Sequence, residues 1–361
     1  MKIRLLAWLA LWSGAQALAA GPTPLGLPDM KRPPAAWAAL GEALFFERGL
    51  SVNGTLSCAM CHLPEQGFTS NELRTSVGME GVSLRRNAPT LWNVGYQRSL
   101  FHDGRANTLE QQALMPLLHP DEMANPNVPA LVARAARLPG YAALFKSAFG
   151  DVRPSAQRIA LALAAYQRTL LAGDSAFDRW YYGGDAQAMT AQARRGFEVF
   201  RERGCIRCHP VDARGTTFSD HGFHNVGTAW RSAQRRSQDV TVHLVPGLSA
   251  RLDPHELARI GVLDEPDQGR FEVTGRRRDL RAFRTPTLRN VARTAPYMHD
   301  GSFDTLEQVI DHYAAGGSPD DPAQDPSIQP FTISADDRQS LVSFLQALTS
   351  KTAPERPQEY R

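Results

Sequence analysis

Four amphipathic stretches set the layout of this chain, and they come as two pairs. Ala36 to Phe46 puts Trp37, Leu40, Leu44 and Phe45 on one face, the spacing of a helix with its apolar stripe turned to a core. Ser155 to Leu171 is strongly apolar-periodic. Ala191 to Phe200 repeats the first pattern, with Phe197 and Phe200 inside Gly196-Phe-Glu-Val-Phe200. Ser334 to Leu348 begins with a Ser-Ala-Asp-Asp cap and carries Leu341, Phe344, Leu345 and Leu348. Tyr181 to Asp185, with its glycine pair, reads as a linker between the two pairs. The pattern predicts a mainly α protein of two similar domains, residues 20–183 and 184–361, after a leader at 1–19.

A repeat in the polar positions sharpens this. Pro89-Thr-Leu-Trp-Asn-Val94 matches Pro286-Thr-Leu-Arg-Asn-Val291, and His-Asp-Gly follows each proline by thirteen residues, at His102 and His299. Thr108-Leu-Glu-Gln111 then matches Thr305-Leu-Glu-Gln308, at a constant offset of 197 without gaps. Such a register points to duplication, so equivalent positions are expected to face equivalent sides of two similar sites.

The four cysteines fall between the paired helices with none to spare. Cys58-x-x-Cys61-His62 and Cys205-x-x-Cys208-His209 are both attachment signatures of c-type haem. The two thiols add to the haem vinyl groups, and the histidine directly after the second reaches the iron from the same side, leaving the opposite face for a side chain or a substrate. One four-cysteine zinc site, two short disulfides or two redox dithiols are the alternatives. None of them explains a histidine after each pair. Two covalent haems are expected.

Composition adds little except location. Lys plus Arg is 40 against 37 for Asp plus Glu, too even to imply nucleic-acid binding. Lys2 and Arg4, the apolar run Leu5 to Trp12 and Ala17-Leu18-Ala19 form a secretory leader cleaved near Ala19–Ala20. The run is shorter than the roughly 20 residues a membrane span needs, which disfavours an uncleaved anchor. The expected mature protein is periplasmic and has no membrane span.

With these residues on the page, the chain resembles the bacterial di-haem cytochrome c peroxidase/MauG family. Besides the haem motifs, the resemblance rests on Arg86-Asn87-Ala-Pro-Thr90, Phe101-His-Asp-Gly104, Thr285-Pro-Thr-Leu-Arg-Asn-Val291 and Ala295-Pro-Tyr-Met-His-Asp-Gly301, and it covers nearly the whole mature chain. It implies that hydrogen peroxide reacts at the N-terminal haem and that the C-terminal haem is six-coordinate. Ordinary di-haem peroxidases cap the first haem with a histidine sixteen residues after the proximal one; here that position is Gly78, so the resemblance is to the MauG-like members with an open iron. The distal residues of the family map onto Gln112, Pro116 and Glu122, with Glu122 as the proton-transfer group.

The second iron takes a methionine in the electron-accepting peroxidases, fourteen residues beyond the histidine matched by His299; here that residue is Tyr313. The repeat equates Tyr313 with Pro116, a ligand in one copy and a non-ligand in the other. A phenolic oxygen is a harder donor than methionine and favours high oxidation states, so the resemblance implies a shared bis-Fe(IV) state; Met298, His299 and His312 are the alternative ligands. The family's calcium between the haems maps onto the Asn87 side chain and the carbonyls of Thr294 and Pro296.

Two family tryptophans are replaced. His102 stands where an inter-haem tryptophan is usual, as a relay or a structural hydrogen-bonding residue, and Arg203 stands at a surface exit position. Trp180 and Trp230 are the substitutes along the chain, and Met123 is an oxidisable neighbour of Glu122, although core packing suits all three. The function implied is peroxide-driven oxidation of a secreted protein partner at tryptophan or another aromatic side chain; one branch does this to a companion protein of copper-peptide gene clusters. The alternatives are a peroxidase fed by a small cytochrome c or cupredoxin, and a non-catalytic electron carrier. Denaturing mass spectrometry of the mature protein should show two haem additions; one or none would remove the basis of this reading.

Overall fold

The computed structural model describes residues 23–236, 240–245, 248–252 and 267–351. The leader and its cleavage point lie outside them. Among the described residues, ten helices of six residues or more form the frame: α1 (Ala35–Phe46), α2 (Leu109–Leu118), α3 (Val128–Ala135), α4 (Tyr141–Phe149), α5 (Ala156–Thr169), α6 (Ala176–Tyr181), α7 (Ala191–Glu202), α8 (Thr228–Arg236), α9 (Leu306–Ala314) and α10 (Ala335–Ala347). The described sheet is limited to two antiparallel pairs, β1 (Phe223–His224) with β4 (Phe283–Arg284) and β2 (Val240–Val245) with β3 (Leu248–Leu252). The mainly α expectation holds, and all four expected helices are present within a few residues of their predicted ends.

The duplication is visible in how the paired helices cross. α1 lies against α5 so closely that a Cβ on Gly41 would sit 1.8 Å from the Ala162 carbonyl oxygen. α7 crosses α10 in the same way, with a Cβ on Gly196 falling 1.9 Å from the Ser340 oxygen. Only glycine permits either contact, so a glycine in mid-helix, which otherwise weakens it by about 1 kcal/mol, is explained by packing. Leu40, Leu44, Phe45, Ile159 and Leu163 centre the first apolar core; Phe177, Phe197, Phe200, Phe218 and Phe344 centre the second.

The cores part between Ala172 and Phe177. α6 packs wholly with the second: Phe177 meets Phe197, Phe218 and Phe344 edge-on. The glycine pair 183–184 follows α6 and does not separate the cores. Trp180 joins the same aromatic cluster and Met123 is buried in the first core.

The repeated segments are held in matching ways. Asn93 and Asn290 both adopt left-handed backbone. Asn93 exchanges bonds with Leu170 and Ala172 after α5, and Asn290 with Leu348 and Ser350 after α10. Thr108 caps α2 and Thr305 caps α9, each accepting from the backbone of the glutamine three residues on.

Where the copies meet, they trade equivalent bonds. Asn87 N donates to the His299 carbonyl at 2.7 Å, and Arg284 N donates to the His102 carbonyl at 2.8 Å. Positions 87 and 284 are 197 apart, as are 102 and 299. The seam is therefore self-complementary, like the isologous contact of a two-fold dimer, but within one chain.

One ion pair ties this frame together away from the seam. Arg289 and Asp178 are both fully buried, and the guanidinium grips both carboxylate oxygens at 2.7 and 2.9 Å. Its remaining donors go to the Thr216 and Gly26 carbonyls, and Ser175 donates to the carboxylate, so both ions are hydrogen-bonded throughout. Removing one partner strands the other charge in the interior, which costs about 3–5 kcal/mol. Asp178→Ala should lower stability by that order in a denaturant titration; a loss below about 1 kcal/mol would show that water reaches Arg289.

Candidate active site in the cavity between the two motifs

A cavity of about 1010 Å³ runs between the two halves, at the upper end of the roughly 300–1,000 Å³ of ordinary ligand and cofactor sites. His62, Asn87, His102, Gln112, Pro116, Glu122, Cys61, Cys205, Cys208, His209, Thr294, Pro296 and Tyr313 all line it. Cys58 lines an adjoining cleft with Cys61 and His62. Apart from Cys58, the residues expected at the haem, peroxide and calcium sites share one space; Met123, Trp180 and His312 do not line it.

The two motif histidines are set by the same device. His62 Nδ1 donates to the Phe68 carbonyl at 3.0 Å, and His209 Nδ1 donates to the Phe218 carbonyl at 2.7 Å. Both phenylalanines are fully buried and both have positive φ, 56° and 52°, a conformation bulky side chains rarely adopt. The strained turn aims a carbonyl at the ring and leaves Nε2 as the ligand atom. Burial pushes both imidazoles below their ordinary pKa, so they are neutral, as ligation requires. Each motif therefore offers two thiols and one oriented neutral imidazole, the donor set of a covalent c-type haem.

On the far side of the first motif, α2 presents Gln112 and Pro116, and the turn after it presents Glu122. Burial, the largest influence, lifts the Glu122 carboxyl above the usual carboxylate range, against the lowering pull of His119 and Arg105. Pro116 has no donor and no ligand atom. Gly78 is packed onto the same turn: Met79 N donates to the Asp121 carbonyl at 2.7 Å, and a Cβ on Gly78 would lie 1.9 Å from that oxygen. No side chain fits there without moving the turn that carries Glu122.

On the second side, α9 turns Tyr313 into the cavity, where burial and then Cys208 and Cys205 push its phenol pKa up. His312 is occupied elsewhere, with Nε2 donating to the Val226 carbonyl at 2.8 Å. His299 stacks on Phe283 at 3.8 Å. Among the alternative ligands, Met298 and His299 share the cavity wall.

The seam residues differ from one another in kind. Burial pulls His102 down to about 3, with Arg86, His299 and Arg284 adding to the effect, so its ring is neutral and donates Nε2–H to the Asn87 carbonyl at 2.9 Å. The Asn87 amide contacts the Pro296 carbonyl at 2.7 Å, while Asn87 Oδ1 is buried without a hydrogen-bond partner among the described residues. Turning the amide over would bring two oxygens together, an arrangement a hard cation stabilises. Asn87 and Pro296 thus fit a calcium ion. Two features of this site carry no sequence signal: the left-handed turns at Phe68 and Phe218, and the seating of Gly78 on Asp121.

Fold and cavity together define a c-type di-haem oxidoreductase. Residues 35–187 match the di-haem cytochrome c peroxidase family. The methylamine utilization protein MauG of Methylorubrum extorquens is 38% identical over 87% of this chain and 78% of its own length. A cytochrome-c peroxidase of Denitromonas iodatirespirans is 31% identical over 97% of this chain and 92% of its own. The solved structure of a MauG-like protein associated with microbial copper homeostasis aligns with a TM-score of 0.72 at 30% identity, across 97% of this chain and 99% of that one. The chain belongs to the di-haem cytochrome c peroxidase/MauG family, whose members are haem-dependent peroxidases and oxidoreductases with two c-type haems.

Gly78→Ala should destabilise the protein by about 1–3 kcal/mol, the usual toll of an overpacked contact. Thermal unfolding is the measurement, and an unchanged Tm would mean that the 76–84 loop does not rest on Asp121.

Proposed function

We propose that this chain is an exported MauG-like enzyme that reacts with hydrogen peroxide on the His62 side of the cavity and oxidises a secreted protein partner, at tryptophan or another aromatic side chain, through the His209/Tyr313 side. The observation that carries this reading is the seating of Gly78: the position that would cap the first site is closed to any side chain by the Asp121 carbonyl. Pro116, the repeat counterpart of Tyr313, cannot ligate either. Bound haem supplies the electron-transfer and peroxide chemistry.

The protein's own groups have separable roles. Glu122, as carboxylate, takes a proton from peroxide and returns it to the departing oxygen, which leaves as water. Gln112 orients peroxide by hydrogen bonding. Tyr313 is the ligand to the second iron; an oxygen donor there lacks the potential-raising effect of methionine. Cys58 and Cys61 hold the first haem, Cys205 and Cys208 the second. Asn87 Oδ1 and the carbonyls of Thr294 and Pro296 hold calcium between them. His102 is a neutral tie that fixes the Asn87 backbone. On this reading the protein is periplasmic, and its two haem domains meet between Ala172 and Phe177, where the apolar cores part.

Fully ferric protein mixed with peroxide in a stopped-flow instrument should change its spectrum without prior reduction. Glu122→Gln should slow that change by on the order of a hundredfold or more. The reaction should also slow as pH falls through the raised Glu122 pKa, because protonation removes the base. Tyr313→Phe should alter the low-spin ferric spectrum with both haems attached. If nothing happens until an electron donor is added, the enzyme is a reductively activated peroxidase. That second reading is favoured by the 31% identity to a cytochrome-c peroxidase. Sustained turnover with reduced cytochrome c would establish it, whereas a peroxide-dependent mass change in a secreted partner would establish the first.

A further inference from the structure

Several arginines are drawn into the interior, and nearly all their charges are met. Arg86 binds Asp103 and Asp267, Arg281 binds Asp321, and Arg289 binds Asp178. Arg284 is different. It is the last residue of β4, lies at the seam and lines the cavity between the motifs. Its Nη1 donates to Gln97 Oε1 at 2.5 Å and to the Thr285 carbonyl at 3.3 Å, and its Nε donates to the Phe101 carbonyl at 3.2 Å. All three acceptors are neutral. Among the described residues no carboxylate lies within ion-pair distance of it, and burial alone pulls its pKa down to about 10. A half-buried guanidinium that meets only neutral acceptors is left with an uncompensated charge, and the cavity it lines has room for an anion that the described side chains do not provide.

The duplication says where this cation sits. Arg284 is the repeat counterpart of Asn87, and Gln97 that of Thr294. One side of the pseudo-two-fold therefore has Asn87 with the backbone near Thr294 and Pro296, fitted to a hard cation. The other has a fixed guanidinium bonded to Gln97. The two positions carry the same sign of charge by different means, and both open onto the space between the motifs.

We propose that Arg284 is the counter-ion of a haem propionate at the inter-domain seam, a positioning residue that does with a guanidinium what the Asn87 side does with a bound cation. The inference rests on the two-haem reading above. A haem carries two carboxylates, and a planar guanidinium is matched to carboxylate geometry. Pairing it with a propionate satisfies both charges in the interior and balances the negative charge near an iron.

The test is a spectroelectrochemical titration of both haems in the holoprotein, with mass spectrometry on the same samples. In Arg284→Gln one propionate is left uncompensated, which favours the ferric state. One haem's reduction equilibrium should shift by about tenfold or more towards ferric, 59 mV for one electron. Arg284→Lys should recover most of that shift. In the wild type neither potential should depend on phosphate concentration; dependence would assign the site to a free anion and overturn the proposal. Unchanged potentials in Arg284→Gln, with two haems attached, would also overturn it. Should Arg284→Gln fail to fold, the propionate bending bands in the resonance Raman spectrum of Arg284→Lys decide: they should shift, and identical bands would refute the pairing. Fewer than two haems in the wild type would sink the haem reading instead.

Discussion

Two backbone hydrogen bonds, Asn87 N to His299 O and Arg284 N to His102 O, set the relation of everything else in this molecule. They are one bond repeated by duplication, and they bring the two C-x-x-C-H motifs to opposite ends of one cavity. Backbone groups buried at a seam must be paired, so this exchange cannot be given up piecemeal. It also fixes the order of residues along the seam. The His102 ring rests on the Asn87 carbonyl, and the Asn87 side chain faces Pro296. A shift of either copy would move candidate metal ligands and histidine ties together.

Each copy solves the same local problem, which is to hold an imidazole neutral and pointed. Nδ1 is given to a carbonyl from a left-handed phenylalanine, Phe68 in one copy and Phe218 in the other. The spacing differs, six residues after the histidine in the first and nine in the second. The backbone strain is kept because the full burial of each ring over-determines the turn. The same geometry arrived at through different loop lengths shows that the constraint is the carbonyl position and not the loop.

Much of this was legible in the sequence because it is written in spacing. The paired amphipathic helices, the offset of 197 and the cysteine–histidine motifs need no tertiary information, and they located the fold and the cavity. The meaning of glycine at position 78 was legible only through the family resemblance; the contact that keeps a side chain out, the Asp121 carbonyl 1.9 Å from a would-be Cβ, belongs to packing. α3 and α4, of eight and nine residues, lean on α1 and α5, and each has too few turns for its apolar stripe to stand out in the sequence. Tyr181 to Asp185 reads as a linker because of its glycine pair, yet the aromatic cluster around Phe177 places the helix just before it, α6, inside the second core, so the cores part earlier. Arg284 carries no motif of its own. Its singularity lies in what surrounds it, which a sequence does not state.

The two copies agree at the positions that fix their backbone frame and diverge at several side chains of the cavity wall. Asn93 and Asn290, Thr108 and Thr305, His102 and His299 are identical pairs that build the frame. Pro116 against Tyr313 and Asn87 against Arg284 are unlike pairs that line the space between the motifs. A symmetric pair of sites would have equal affinities for electrons and for ligands, and no direction of transfer would follow. Proline on one side offers the cavity no ligand atom, whereas the phenol on the other side offers one. The backbone exchange at the seam survives the asymmetry, because Asn87 N and Arg284 N make it whatever side chain each residue carries. The repeat therefore keeps two matching frames while the cavity walls differ.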